Sequence, residues 1–122
     1  MATLKEFIGG RIKSVNYAVK GAYLLASSEH SIISQLTVGA LVTVAGFYFE
    51  ISKTEWMFQI FSIGLIVTAE GLNTAAEKIA DFIQPNFDPK IGFIKDIAAG
   101  AVFFAALTAM IIGAIIYVPK FI

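Results

Sequence analysis

The strongest constraint on the fold is an uncharged apolar segment near the end of the chain, Ile97 to Val118, IAAGAVFFAALTAMIIGAIIYV. About 20 apolar residues in a helix suffice to cross roughly 30 Å of hydrocarbon. An earlier segment, Ile32 to Phe49, is interrupted only by Ser34, Gln35 and two threonines and satisfies the same rule. Hydrophobic residues make up 57% of the sequence, more than in typical soluble domains, so the sequence predicts a membrane protein.

A third apolar segment begins at Trp56 but stays apolar only to about Ala69, which is short for a bilayer. It can cross only if its helix continues through the polar stretch TAEGLNTAAEKIADF, Thr68 to Phe82. The turn-forming tract QPNFDPK, residues 84–90, ends that helix and reverses the chain. The sequence therefore predicts an all-α membrane protein of one domain, residues 1–122, with transmembrane helices over about 32–49, 56–83 (including a cytoplasmic extension) and 97–118.

The amino-terminal segment, about residues 4–26, has the pattern of an amphipathic helix. Apolar residues recur there at steps of three and four, including Phe7, Ile8, Ile12 and Val15, whereas the lysines lie on other faces. We expect this helix to lie on the membrane surface. The pattern alone assigns it no role beyond anchoring the chain.

The basic residues predict how the chain is oriented in the membrane. Two of the nine, Lys53 and Lys120, fall on one side of the predicted spans, and the other seven fall on the opposite side: Lys5, Arg11, Lys13, Lys20, Lys78, Lys90 and Lys95. Because short cytoplasmic loops collect Lys and Arg, the amino terminus is expected in the cytoplasm. Trp56 and Tyr117 then flank the outer surface as interfacial aromatic residues. A formal net charge of zero offers no basic field for nucleic acid.

Four polar residues in the continuation of the second span share one helix face: Glu70, Asn73, Glu77 and Asp81 lie within a narrow sector at about 100° per residue. Insertion of a carboxylate at membrane depth costs roughly 2.5–3.5 kcal/mol on insertion scales, so we expect Glu70 to have an interaction partner or a function. A single buried carboxylate suggests a general base or proton carrier, whereas two carboxylates with an amide between them suggest a divalent cation site. For Glu77 and Asp81, a solvated cytoplasmic extension is the alternative.

Further polar residues are expected on the same side of the membrane and at a similar depth. Lys95 and Asp96 stand where the third span enters the bilayer, and Glu29 directly precedes the first span. As ordinary structural features, Asp96 would stabilise the first turn of a helix and Lys95 would extend its ammonium to water. Together with the carboxylates of the Glu70 face, however, these charged residues are of the kinds that bind phosphate and offset its charge.

Several motifs resemble those of a known family. The segments VKG at Val19 to Gly21, AEGLNTAAEKIAD from Ala69 and KDIAAGAV from Lys95, with Glu29 before the first span, resemble the small bacterial integral-membrane lipid kinases, which comprise diacylglycerol kinase and undecaprenol kinase. The resemblance covers nearly the whole chain. It implies an ATP-dependent phosphotransferase of the bacterial inner membrane, a homotrimer whose active sites form between protomers on the cytoplasmic side.

The resemblance also implies a role for individual residues. Glu70 would be the general base that activates the lipid hydroxyl, and Asn73 would support the site beside it. Glu29 and Glu77 would hold the Mg²⁺ that bridges the ATP phosphates, and Lys95 would contact the transferring phosphate. The residues implied to bind the nucleotide are Asp96, Lys95, Glu77, Tyr17 and Lys20.

The expected reaction is transfer of the γ-phosphate of ATP to diacylglycerol, giving phosphatidic acid, with undecaprenol as the alternative acceptor. Both lipids present a primary hydroxyl at the interface, and no residue separates them. A non-enzymatic alternative is an oligomeric membrane protein, either an ion or proton pathway lined by Glu70 and Glu77 or a packing subunit. Binding of Mg-ATP separates these hypotheses, because only the kinase requires it.

Overall fold

Four α-helices make up the fold. The computed structural model describes residue 1 and residues 3–122, and in this part of the chain it contains no strand. In chain order the helices are α1 (Leu4–Ser28), α2 (His30–Tyr48), α3 (Lys53–Ile83) and α4 (Pro89–Phe121). The prediction of an all-α chain with a turn between the last two helices is confirmed.

Two of the helices, α2 and α4, are long and apolar enough to cross a membrane. At 1.5 Å per residue the 31 residues of α3 extend about 46 Å, which exceeds the hydrocarbon thickness. Its polar second half interrupts the apolar stretch, so a crossing by α3 stays a prediction. No residue of α1 is buried in the single chain, as expected for a helix whose apolar side faces lipid.

The helix starts follow ordinary capping chemistry. Thr3 with Glu6 and Ser52 with Glu55 form capping boxes at α1 and α3. At α4 the Asp88 carboxylate accepts from the backbone N–H of Lys90 at 2.8 Å, and Pro occupies the first helical turn. The interpretation of Asp96 as a first-turn residue is therefore wrong, because α4 begins seven residues earlier than Asp96, at Pro89.

Glu29 is the joint between α1 and α2. It is the single non-helical residue between them, with extended backbone angles (φ −103°, ψ 116°). The side chain of Glu29 makes no capping hydrogen bond to α2. The end of α1 also packs on α3, since a Cβ atom built on Gly71 would lie 3.3 Å from Leu25 Cδ1. The joint is thus held beside the polar half of α3.

Small residues bring the helices together. The most extensive contact is between α3 and α4, while α2 packs on α3 and α1 on α2. Gly46 of α2 is buried against the Trp56 ring: a Cβ atom there would lie 2.7 Å from the ring. The buried apolar residues are few, namely Ile32, Ile51, Ala80, Ala105 and Ile116. Most large apolar side chains face outward, as they do in a protein whose surface is covered by lipid or by further subunits.

At the Ser52 end of α3, polar groups are paired within the chain. The Gln59 side chain, only 3% exposed, donates from Nε2 to the Val42 carbonyl at 3.3 Å. The Tyr117 hydroxyl lies within hydrogen-bond distance of Gln59 Oε1 and of the Val42 carbonyl, the latter at 3.2 Å. This cluster joins α2, α3 and α4. Tyr117 therefore has a specific partner and is more than an interfacial aromatic residue.

Glu55 links the same end of α3 to the end of α4. Its carboxylate accepts from the Ser52 backbone N–H at 2.9 Å and lies 3.3 Å from the Lys120 ammonium. The backbone hydrogen bond is the main cause that lowers the pKa of Glu55, and Lys120 adds to it, while desolvation opposes the shift. The charged form of Glu55 is thus favoured in the folded state.

Candidate functional site

The polar face predicted on α3 is present, because α3 continues without interruption through residues 70–81. Asn73 donates from Nδ2 to Glu77 Oε1, one turn further along, at 3.2 Å. Glu70 is half-buried, and its carboxylate has no hydrogen bond or ion pair with any residue that the structure describes. A half-buried carboxylate without an internal partner is available to an external proton donor.

Asn73 leaves its carbonyl oxygen without a partner. Oδ1 is buried, and within residue 1 and residues 3–122 no donor reaches it. A buried acceptor left unpaired costs about 1–3 kcal/mol, so such atoms are rare unless another molecule supplies the donor. A ligand hydroxyl, a metal-bound water or a second protein chain could satisfy this oxygen.

Two ion pairs connect the face to the rest of the chain. The Lys78 ammonium lies 3.2 Å from Glu29 Oε1, which links α3 to the joint between α1 and α2. The Lys95 ammonium of α4 lies 2.5 Å from Asp81 Oδ1. The structure therefore brings Lys95 to Asp81 on the α3 face, and Glu29 to Lys78, which neighbours Glu77 in the sequence but lies beside that face. The sequence suggested neither pairing.

The proposed metal ligands have the right chemistry but do not form a closed site. In the part of the chain that the structure describes, no three His, Cys, Asp or Glu side chains converge to hold an ion. Magnesium usually retains several waters and is bound by one or two carboxylates together with phosphate oxygens. In donor chemistry, the carboxylates of Glu29 and Glu77 and the unpaired amide oxygen of Asn73, which is bonded to Glu77 through its Nδ2, fit such a site if a nucleotide completes it.

The remaining predicted nucleotide-binding residues lie at the surface. Tyr17 is 73% exposed, and Lys20 and Asp96 are exposed as well. None of the three has a side-chain hydrogen bond or ion pair with the residues that the structure describes. Within the described chain these residues thus have no polar partner, and their nucleotide contacts stay predictions.

An apolar cavity of about 480 Å³ lies between α3 and α4, and Asn73 is part of its wall. The other lining residues are Leu65, Thr68, Ala69, Leu72, Ala98, Ala101, Phe104, Ala105 and Thr108. This cavity was not predicted from the sequence. The sequence pattern that indicates the cavity is the spacing of the small residues Ala98, Ala101 and Ala105, which leaves room beside one face of α4.

A cavity of about 390 Å³ lies elsewhere, between α2, α3 and α4. Its wall includes Gln35, Gln59 and Tyr117 but none of the predicted catalytic or metal-binding residues. The first cavity, which includes Asn73, is therefore the one that belongs to the candidate site.

Comparisons with known proteins identify the family of this chain. Residues 16–117 match the family described as prokaryotic diacylglycerol kinase. The chain is also 36% identical over 108 residues to the undecaprenol kinase of Bacillus subtilis (strain 168), and the match covers 88% of each protein. With its apolar helices, this chain is an integral membrane protein. It belongs to the prokaryotic diacylglycerol kinase family and is a lipid kinase.

Proposed function

We propose that this protein transfers the γ-phosphate of ATP to the hydroxyl of undecaprenol, with Mg²⁺, at the cytoplasmic face of a bacterial inner membrane. The observation that carries the choice of acceptor is the 36% identity to an undecaprenol kinase across 88% of both chains. This reverses the order expected from the sequence, which put diacylglycerol first. Diacylglycerol is the second candidate, because the matching family is described by that activity.

The proposed chemistry assigns proton transfer to Glu70. The lipid hydroxyl gives its proton to the Glu70 carboxylate while its oxygen forms a bond to the γ-phosphorus. The bond from that phosphorus to the bridging oxygen breaks, and ADP leaves. The half-burial of Glu70 and its lack of an internal partner support this role, since nothing in the described chain competes for the carboxylate.

The other groups on the face would position and neutralise phosphate. Glu29 and Glu77 would hold the metal, which when bound offsets negative charge on the ATP phosphates. Lys95 would leave Asp81 to contact the transferring phosphate, and the Asn73 amide would orient groups beside Glu70. Asp96, Tyr17 and Lys20 would contact the nucleotide. Positioning and charge stabilisation supply most of phosphoryl-transfer catalysis.

The cavity between α3 and α4 supports a lipid acceptor. Its wall is almost entirely apolar, and Asn73 is the polar exception beside two threonines. An isoprenoid or acyl chain could occupy the apolar part while its terminal hydroxyl lies near Asn73 and Glu70.

We also propose that the site is completed in a homotrimer. Three observations support an intermolecular site: the unpaired Asn73 Oδ1, the exposed nucleotide-binding candidates on α1, and the outward-facing apolar side chains. The α3 helix would cross the membrane with its Ile83 end in the cytoplasm, as the distribution of basic residues indicates.

The test is transfer of labelled phosphate from ATP to undecaprenol and to diacylglycerol, offered separately in mixed micelles, with and without EDTA. We expect labelled undecaprenyl phosphate with a kcat/KM at least tenfold above that for diacylglycerol, and no product in EDTA. A preference for diacylglycerol would reassign the acceptor. Labelling of neither lipid by folded protein would contradict the proposed reaction.

A further inference from the structure

Lys78 forms an ion pair with Glu29, a carboxylate that the proposed function assigns to the metal. The Lys78 ammonium is 3.2 Å from Glu29 Oε1. In the sequence, Lys78 directly follows Glu77, the other proposed ligand. No other residue that the structure describes pairs with the Glu29 side chain, and that side chain does not cap α2. Within the described chain, the positive charge beside the Glu29 carboxylate is therefore that of Lys78.

The ion pair between Lys78 and Glu29 can dissociate by movement of the lysine side chain. The Lys78 side chain is 69% exposed, whereas that of Glu29 is 25% exposed. An exposed ion pair is weak, and a lysine on a flexible four-carbon stem can withdraw its ammonium into water. A divalent cation presents twice the charge to the same oxygen. The exchange of ammonium for metal thus requires movement of one exposed side chain.

The position of Glu29 has a second support besides the pair. The last turns of α1 already pack on α3 through Leu25 and Gly71, where a Cβ atom would lie 3.3 Å from the leucine methyl. Removal of the lysine charge should therefore leave the Glu29 carboxylate beside the α3 face, ready for a different cation.

We propose that Lys78 holds the Glu29 carboxylate in the absence of metal and is displaced when Mg²⁺ binds with the nucleotide, so that this lysine raises the Mg²⁺ concentration that the enzyme requires. The inference rests on the proposed function, which makes Glu29 a metal ligand. Lys78 is then a positioning residue. Loss of a phosphate-binding lysine would weaken metal-nucleotide binding, whereas loss of Lys78 tightens metal binding.

The experiment measures binding of a fluorescent ATP analogue to the purified protein in detergent as Mg²⁺ is titrated, without lipid substrate and hence without turnover. For Lys78→Gln we expect the Mg²⁺ midpoint to fall about two- to fivefold, the scale of an exposed ion pair. Lys78→Arg keeps the pair and should stay within twofold of native. Lys90→Gln removes the same charge from an exposed residue on the same predicted side, and it should leave the midpoint unchanged.

The outcomes separate the inference from the function on which it rests. An unchanged midpoint in Lys78→Gln would overturn the inference, and a raised midpoint would assign Lys78 to phosphate binding instead. Glu29→Gln is the reference: it should weaken Mg²⁺-dependent binding at least tenfold. Native protein without Mg²⁺-dependent binding, or a Glu29→Gln variant identical to native, would instead contradict the metal assignment in the proposed function.

Discussion

At the Ser52 end of α3, Glu55 is bonded to its cap and to Lys120, and Gln59 is bonded to Tyr117 and the Val42 carbonyl. At the Ile83 end, Glu70 has no partner among the described residues and the buried Asn73 Oδ1 has no donor. One helix thus has a closed end at Ser52, where Glu55 and Gln59 are paired, and an open end toward Ile83, where Glu70 and Asn73 Oδ1 are not. Lys78 and Asp81 of the open end form ion pairs at the surface. Paired polar groups stabilise helix packing, whereas unpaired ones keep their bonding capacity for another molecule.

The largest expected effect comes from a carboxylate at the open end. Glu70→Gln keeps the shape of the side chain but cannot accept the lipid proton, so phosphate transfer should fall about 10²- to 10⁴-fold. The matched control is Glu50→Gln, which removes an exposed carboxylate beyond α2 and should leave the rate unchanged. Both variants should unfold at the native temperature in detergent. A Glu70→Gln variant with native activity would contradict the role of this residue as base.

Glycine substitutions test how tightly each end of α3 is packed. Gly46→Ala places a methyl group 2.7 Å from the Trp56 ring at the closed end, and we expect the free energy of unfolding to fall by about 1–3 kcal/mol. Gly71→Ala at the open end meets only the tip of Leu25, at 3.3 Å. The strain of the contact between the added methyl group and Leu25 in this variant should be offset by the better helix propensity of alanine, about 1 kcal/mol. Unfolding in mixed detergent and denaturant measures both. Equal losses would show that the two ends are packed alike.

The smallest effect concerns pH. Because the folded state lowers the pKa of Glu55 from the ordinary value of 4.5, the stabilisation is present above that value and is lost as pH falls through the lower, folded pKa. Acidification from pH 6 to pH 3 should therefore lower the unfolding temperature more in the native protein than in Glu55→Gln. Parallel loss in the two proteins would show that Glu55 adds nothing to acid sensitivity.

Local features of this chain could be predicted from the sequence. The order of the helices followed from apolar length and from the turn tract at residues 84–90, although α4 begins at Pro89, inside that tract and before the predicted span. The shared face of Glu70, Asn73 and Glu77 followed from helical geometry. The family motifs supplied the enzyme class, which the comparisons confirm.

Partnerships between distant residues could not be predicted in the same way. Lys78 pairs with Glu29, and Tyr117 with Gln59, through helix packing that joins residues far apart in the sequence. Periodicity places a residue on a face of its own helix but does not give the rotation of the neighbouring helix. The acceptor lipid was equally hidden, because both candidate lipids present the same hydroxyl to the site.

The most direct test of the difference between the two ends replaces one amide at each with leucine and measures both phosphate transfer and unfolding. Asn73→Leu removes a buried oxygen that has no partner and, besides it, only an exposed hydrogen bond to Glu77, so we predict a loss of transfer of at least tenfold with stability equal to or above native. Gln59→Leu removes paired groups, so we predict a loss of about 1–2 kcal/mol in unfolding free energy with transfer near native. If activity and stability instead fall together in both variants, the account of one closed and one open end is contradicted.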